Sequence, residues 1–440
     1  MMIGGRVRMT AGGRALRHRN FRFFFVGQLV SLIGTWMQSL AQQWLMFTLV
    51  GKANGALFLG LLGVAQFLPV LVLGLFGGMI ADLWPKRRTI VFTQIAAGIL
   101  ALVLSVLVFT GSVQVWHIFV LGFVLGVVNA VDMPTRQSFV IEMVGREDVA
   151  NAVALNSAVF NGARIVGPAV AGLLIASVGM ALCFLLNGLS YIAVIIGLLM
   201  MRDSELVPAD RLAMPKSISA VRENLAEGLV YVRRTPVVLL AIGAVGLVST
   251  FGMNFNVILP AMAGGVLNVG PEGLGFLTTA MGLGALISAL VVASLRRPMV
   301  RVLLGGAAML SVAEIIFSAV TLYPVALVAM FFVGIGAIAM AATANSLVQV
   351  TVPGPLRGRV MSVYTTVFSG STPIGSGFTG GVAATLGTPV SVFMDGALAL
   401  VVTVVAAIAV LQGRVVGIGK GRSGGADAPT TAPVREPIGG

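Results

Sequence analysis

Apolar residues fill this chain in long blocks separated by short polar segments. Twelve blocks are long enough to cross the roughly 30 Å hydrocarbon core of a bilayer. They lie near 21–49, 57–83, 89–110, 115–140, 150–178, 180–201, 236–262, 273–295, 300–321, 323–349, 358–386 and 389–411. The pattern predicts an all-α membrane protein of twelve transmembrane helices, six in 21–201 and six in 236–411. A basic segment over 1–20, a polar linker over 202–235 and a tail over 412–440 complete the chain. Within the linker Ile218, Val221, Leu225, Leu229 and Val232 share one helical face, which predicts an amphipathic helix on the membrane surface. It reads either as cover for the ends of the bundles or as a regulatory or partner-binding element. The tail, rich in Gly, Pro, Ala, Ser and Thr, is expected to be disordered.

Composition agrees with the pattern. Of 440 residues 58% are hydrophobic and 10% charged, with a mean hydropathy of +1.02, where soluble domains carry roughly 25% charged residues. A soluble enzyme is excluded. Cys183 stands alone inside an apolar run, and His18 and His117 cannot build a metal cluster by themselves. No phosphate loop and no dinucleotide fingerprint is present, so no cofactor is expected. The net charge of +13 is an orientation signal and not a nucleic-acid footprint. Of the 28 Lys and Arg, all but Lys52 and Arg164 lie in or beside the N-terminus, the even-to-odd loops and the tail. That asymmetry predicts both termini in the cytoplasm, with contact to anionic lipid heads following from it. The first apolar block is too long for a signal peptide and reads as a retained helix.

Sliding the chain against itself by 208 residues pairs Gly126 with Gly334, Thr135 with Thr343, Ser138 with Ser346 and Phe160 with Phe368. In the same register Gly162, Gly167, Gly172 and Gly179 meet Gly370, Gly375, Gly380 and Gly387. The chain is therefore expected to be two related six-helix halves, a transporter architecture with its substrate site between the halves near mid-membrane.

The segment "GGMIADLWPKRR" ends the second block with Gly78, Asp82, Lys86 and Arg87. Gly78 permits close helix approach, and Asp82 can accept from a helix N-terminus or pair with a base. Here the chain resembles the major facilitator superfamily, whose cytoplasmic signature reads Gly-x-x-x-Asp-Arg-x-Gly-Arg-Arg. Leu83 replaces the family's usual Arg, and Pro85 its usual Gly. The resemblance implies a charge relay from Asp82 and Lys86 to an acid at the inner end of the fourth helix, with Asp132 the natural candidate. Such a relay locks the halves on the cytoplasmic side. A plain basic stop after a helix would account for Lys86 and Arg87 but not for Asp82.

A second motif, "NGARIVGPAVAG", resembles the fifth-helix Gly-Pro element of the superfamily's antiporters. With "FRFFFVGQLVSLIGTWMQSLAQQWL" and "VDMPTRQSFVIEMVGREDVANAVALNS" it is similar to the drug and siderophore exporter branch, often called transmembrane secretion effectors, which includes enterobactin and macrolide exporters. Gly162, Gly167 and Gly172 clear side chains for close packing, and Pro168 is expected to kink the helix. Arg164 falls near mid-membrane, where a charge costs about 2.5–3.5 kcal/mol on insertion scales. It must face a cavity or a partner, either as a substrate contact or as a donor to carbonyls, to Asn161 or to a neighbouring helix. Its counterpart in the repeat is Thr372.

On the first helix Gln28, Ser31, Thr35, Gln38 and Gln42 form a polar stripe that lipid would not tolerate unpaired. Trp36 and Trp44 flank it. The resemblance implies that the first, fourth, seventh and tenth helices line the cavity. Their other polar members are Asn129, Asp132, Asn254, Asn256, Asn345 and Gln349. The stripe either lines that cavity or holds the bundle together. The resemblance implies a monomeric secondary exporter in the cell membrane, moving an amphipathic small molecule by alternating access in exchange for protons. A lipid or lysophospholipid transporter is the alternative, and a non-transporting receptor is disfavoured by the buried stripe. Asp132 and Glu314 are the candidate proton sites, with Asp395 a third intramembrane acid near the outer end of its helix.

Overall fold

With no water in hydrocarbon, each spanning segment must satisfy its own backbone, so long apolar blocks become helices. The computed structural model describes residues 11–207, 218–295 and 297–413, with side chains described throughout except at 11, 12, 75–83, 218–222 and 224. Among the described residues there are thirteen α-helices and no strand. In the first half these are α1 (Arg19–Val50), α2 (Gly55–Leu83), α3 (Lys86–Phe109), α4 (Val115–Ser177) and α5 (Met180–Leu199). The linker helix is α6 (Ile218–Arg234). The second half holds α7 (Pro236–Gly252), α8 (Phe255–Ala261), α9 (Gly270–Ser294), α10 (Val300–Ala319), α11 (Tyr323–Thr351), α12 (Gly354–Leu386) and α13 (Thr388–Leu411).

Ten stretches qualify as membrane spans by length and apolarity. One of them, α4, has 63 residues, about 95 Å at 1.5 Å per residue and enough for two crossings. It breaks at Gly145, whose φ of 71° and ψ of 174° are open to a residue without a side chain. Helical dihedrals continue through Pro168, and Gly145 is the non-helical residue inside α4. The twelfth crossing is α12, whose Ser, Thr and Gly content lowers its mean apolarity. The seventh span is not the single helix expected over 236–262. It stops at Gly252, leaves helical geometry at Met253, resumes as α8 and ends in a five-residue π-helical turn, Met262–Val266.

Successive spans alternate in direction. The start of α1, the α2–α3 turn, Gly145, the linker and the end of α13 therefore share one face, here the basic face. Within the first half α1 packs on α4 and α5, α2 on α4, and α3 on α5. Within the second α9 and α10 pack on α11, α10 on α13, and α7 on α12 and α13. The halves meet through α2 against α12 and α4 against α9.

The repeated glycines do equivalent jobs in the two halves. A Cβ at Gly126 would strike the Gln66 carbonyl of α2, and one at Gly334 the Met281 carbonyl of α9. Gly167 lies on the Ile33 carbonyl and Trp36 of α1, while Gly375 lies on Thr250 and Asn254 of the seventh span. Gly172 opposes Pro271 and Gly275 across the seam, and Gly380 opposes Gly60. Gly179 and Gly387 end their helices at φ of 103° and 90°.

In the linker, Gly228 of α6 packs on the Arg359 carbonyl and Val363 of α12, Val232 is buried, and Glu227 pairs with Arg359. Leu225 is half-buried and Leu229 exposed, while the side chains of Ile218 and Val221 lie outside those described. The tail expected to be disordered lies outside the described residues from 414 onward.

Candidate functional site

At mid-depth on the seam, the α4 segment after Gly145 presents Arg164 one turn before the Gly167 contact with α1. The Arg164 guanidinium carbon lies 5.7 Å from the centre of the Trp36 ring, and Trp36 meets Phe160 edge-on at 5.6 Å. A cation over an indole face is held by the ring quadrupole. No carbonyl, amide or acid among the described residues accepts from Arg164, and its Nε is buried without a partner. The carbonyl contact weighed for it is not made, and Asn161 donates to its own helix at Ser157 instead. Gly162 faces open space and Pro168 packs against Gly275 of α9.

From this level to the face opposite the termini the halves are in close contact. Thr279 donates to the Ile165 carbonyl at 3.1 Å, Gln43 to Asn256 at 3.2 Å, and Lys52 to Asn268 at 2.6 Å. A Cβ at either Gly60 or Gly380 would lie 3.0 Å from the other's Cα, and Gly264 packs on the ring of Phe47.

The polar stripe of α1 is largely enclosed in the first half. Gln28, Ser31, Gln38 and Gln42 are buried, Gln38 accepts from Asn187 of α5 at 2.7 Å, and Gly34 abuts Asn187 and Ser190. Ser31, Gln38 and Gln42 lie on the face of α1 that Gly27 and Gly34 press against α5, and all four buried residues are internal to the bundle. Thr35 is exposed and bonds within its helix to Ser31. Trp44 stacks on Phe47 near the opposite face.

Gln28 also accepts from Arg136, which forms an i,i+4 ion pair with Asp132. Asp132 Oδ2 takes Arg136 Nη2 at 2.6 Å, and its Oδ1 accepts from Thr93 at 2.5 Å and Gln94 at 3.0 Å. Asp132 is thus not the partner of Lys86. The Lys86 amine lies 2.7 Å from Glu142, ten residues further along α4. At 1.5 Å per residue Asp132 sits about 15 Å deeper than that acid, too far for an amine at the basic face. Arg87 pairs with Asp203 at 2.6 Å and donates to the Leu199 carbonyl. The side chains of Gly78 and Asp82 lie outside those described.

The first half closes with the N-terminal strap. A 3-10 segment, Ala11–Arg17, lays the buried Ala15 on the helix after Gly145, where Ala15 donates to Asn151. Arg17 and His18 each reach Asp148 at 2.8 Å, with Arg14 at 3.4 Å. The His18 hydrogen bond and the Arg17 and Arg14 charges hold the Asp148 carboxyl below the usual carboxylate range.

In the second half Asn254 is buried at the break of the seventh span, donating to the Thr250 carbonyl, and Asn256 is exposed toward Gln43. Asn345 and Gln349 bond each other on α11. Asn129 and Thr372 are half-buried, while Glu314 and Asp395 are 1% and 0% exposed. Gln43, Arg136, Glu142, Asn187 and Thr279 carry contacts that the sequence had not singled out. Of these, Arg136 was legible as a base four residues after an acid on one helix.

These features fit a transporter, and comparison with known proteins identifies the class. Residues 11–415 match the family model described as transmembrane secretion effector. The chain belongs to that family, within the major facilitator superfamily. It is a multi-pass membrane protein and not an enzyme. The multidrug efflux pump Tap of Mycolicibacterium fortuitum is 29% identical, over 74% of this chain and 81% of that protein. The enterobactin exporter EntS of Shigella boydii serotype 4 is 24% identical, over 85% of this chain and 87% of that protein. In fold, the chain superposes on the crystal structure of a POT-family transporter with a TM-score of 0.72 at 12% identity, covering 90% of this chain and 96% of that one.

Proposed function

We propose that the chain exports amphipathic small molecules, drug- or siderophore-like, across the cell membrane by alternating access, with protons as the counter-ion. Both termini lie in the cytoplasm, as the basic loops require. The halves are then sealed at the outer face, with the substrate path opening inward. The observation that carries this reading is Arg164, an unpaired cation over Trp36 at mid-depth, just where the close contacts of the seam begin. A cation kept in the membrane without a protein acceptor serves a ligand that supplies one. The surrounding indole, phenyl and neutral polar groups suit a bulky, partly apolar molecule. Names borne by relatives, multidrug efflux and enterobactin export, support both substrate types.

The test is transport by the purified full chain, as a monomer, in proteoliposomes with an imposed proton gradient. Ethidium and an iron-free catecholate siderophore are the two probes. Gradient-driven movement of either, reduced at least tenfold in Arg164→Ala with unchanged thermal stability, is expected. Movement of a fluorescent lysophospholipid alone, indifferent to the gradient, would replace this reading with lipid transport.

A further inference from the structure

Glu314 of α10 and Asp395 of α13 are buried acids on two helices that pack together. Both Glu314 oxygens and one Asp395 oxygen lack a hydrogen-bond partner. The other Asp395 oxygen accepts from Thr379 of α12 at 2.7 Å. Glu314 points at the end of α7, where a Cβ on Gly252 would lie 3.1 Å from Oε2, beside Ala399 of α13.

No cation balances the pair among the described residues. On α10 the other titratable group is Arg301, at the basic end, and α13 offers only Asp395. Helix α7 has none, and α11 only Tyr323, at its opposite end and donating to the Gly273 carbonyl. On α12 there are Arg357 and Arg359 near the basic face, Arg359 being paired with Glu227, and Tyr364, which donates to Ala341. Two buried carboxylates without a counter-charge repel one another and have lost their hydration.

We infer that Glu314 and Asp395 together form the proton-loading site of the transporter, and that the charge of the pair controls the break of the seventh span at Gly252–Asn254. The step is simple protonation: one carboxylate takes a proton from hydronium of the aqueous phase, leaving water, and becomes a neutral carboxylic acid, which removes the repulsion between the two charges. The lever is α8, which follows the break, packs on α1 and α2 of the first half and supplies Asn256 to Gln43. Asp132 is the weaker candidate, because Arg136, Thr93 and Gln94 already satisfy its charged form. The inference rests on the proton-coupled reading above and localises it.

Two readouts need no transported substrate. Infrared titration of the purified full chain in lipid is expected to show a protonated-carboxyl band that is lost or shifted in both Glu314→Gln and Asp395→Asn and kept in Asp132→Asn. Spin labels at positions 43 and 256, in a Cys183→Ala background, are expected to move with pH in the parent and to lose that response in Glu314→Gln. Glutamine and asparagine imitate the neutral acids, so both variants are expected to fold. The assignment is overturned if Asp132→Asn removes the band, if the labels respond to pH equally in all variants, or if sodium at constant pH reproduces the shift. Gradient-driven transport persisting in the Glu314→Gln/Asp395→Asn double variant would overturn it while leaving the antiport reading intact. A substrate-inert protein with the band and label response in place would overturn only the antiport reading.

Discussion

The two halves share a glycine register but treat buried charge in opposite ways. In the first half acids are matched with bases: Asp132 with Arg136, Glu142 with Lys86, and Asp148 with Arg14, Arg17 and His18. In the second, Glu314 and Asp395 are buried on two helices that pack together, and the Thr379 hydroxyl on Asp395 is the one hydrogen bond recorded for the two carboxyl groups among the described residues. A paired charge stabilises one arrangement and resists change, whereas an uncompensated pair answers to whatever supplies a proton. Backbone packing was retained across the repeat, and charge handling was divided between its copies. Arg164, with a buried nitrogen left unpartnered, departs from that pattern in the first half, and it stands at the seam.

The sharpest test of that contrast compares neutralising substitutions. Asp132→Asn leaves Arg136 uncompensated, and removing one partner of a buried ion pair costs about 3–5 kcal/mol. With Arg136 19% exposed, the lower end of that range is expected, seen as a reduced melting temperature in detergent. Glu314→Gln, which removes an unbalanced charge, is expected to leave stability unchanged or raised. Equal destabilisation by both would remove the distinction between the halves.

What the halves share is tested by Gly126→Ala and Gly334→Ala. Each adds a methyl against a backbone carbonyl that cannot rotate away, for about 1–3 kcal/mol each. Gly162→Ala, with open space before it, should stay within about 0.5 kcal/mol of the parent. Thermal unfolding of the three variants checks the set. A neutral Gly334→Ala would mean that the second half yields where the first does not.

The glycine register was legible in the sequence because close backbone approach excludes every side chain, so the residue itself reports the geometry. The partners of polar residues were less so. Gln42 and Gln43 are neighbours in sequence, yet 100° of helical rotation places one in the bundle interior and the other against Asn256. Asp132 and Glu142 are both acids near the end of one helix, and only depth decides which meets Lys86. The break of the seventh span was hidden because "STFGMNFN" contains no proline, and Asn254 acts through the Thr250 carbonyl and its contact with Gly375.

Arg164 bears on the seam between the halves. If it binds an anionic or electron-rich group of the cargo, Arg164→Lys keeps the charge but loses the planar fork over Trp36, and export is expected to fall several-fold with the melting temperature retained. The measurement is uptake in proteoliposomes beside thermal unfolding of the same preparation. Loss of stability before loss of transport would return Arg164 to a packing role.

The smallest effect is expected at the strap, where the matched charges of the first half reach the surface. The folded state holds the Asp148 carboxyl below its ordinary value, so the contribution of that group is present above the unfolded carboxylate range, near pH ~3.9. It is lost as pH falls through the lower, folded value. Arg14 and Arg17 are each about half exposed, with side chains at 54%, so salt screens them and the effect stays local. Hydrogen exchange at residues 13–18 should therefore quicken as pH is taken from 5 toward 3, beyond the intrinsic dependence of the exchange chemistry, and should do so in Asp148→Asn already at pH 5. Helices α10 and α13 should show no matching change in that window. If the strap exchanges identically in parent and variant at both pH values, the Asp148 cluster does not hold it, and the pairing of charge in the first half ends at the membrane surface.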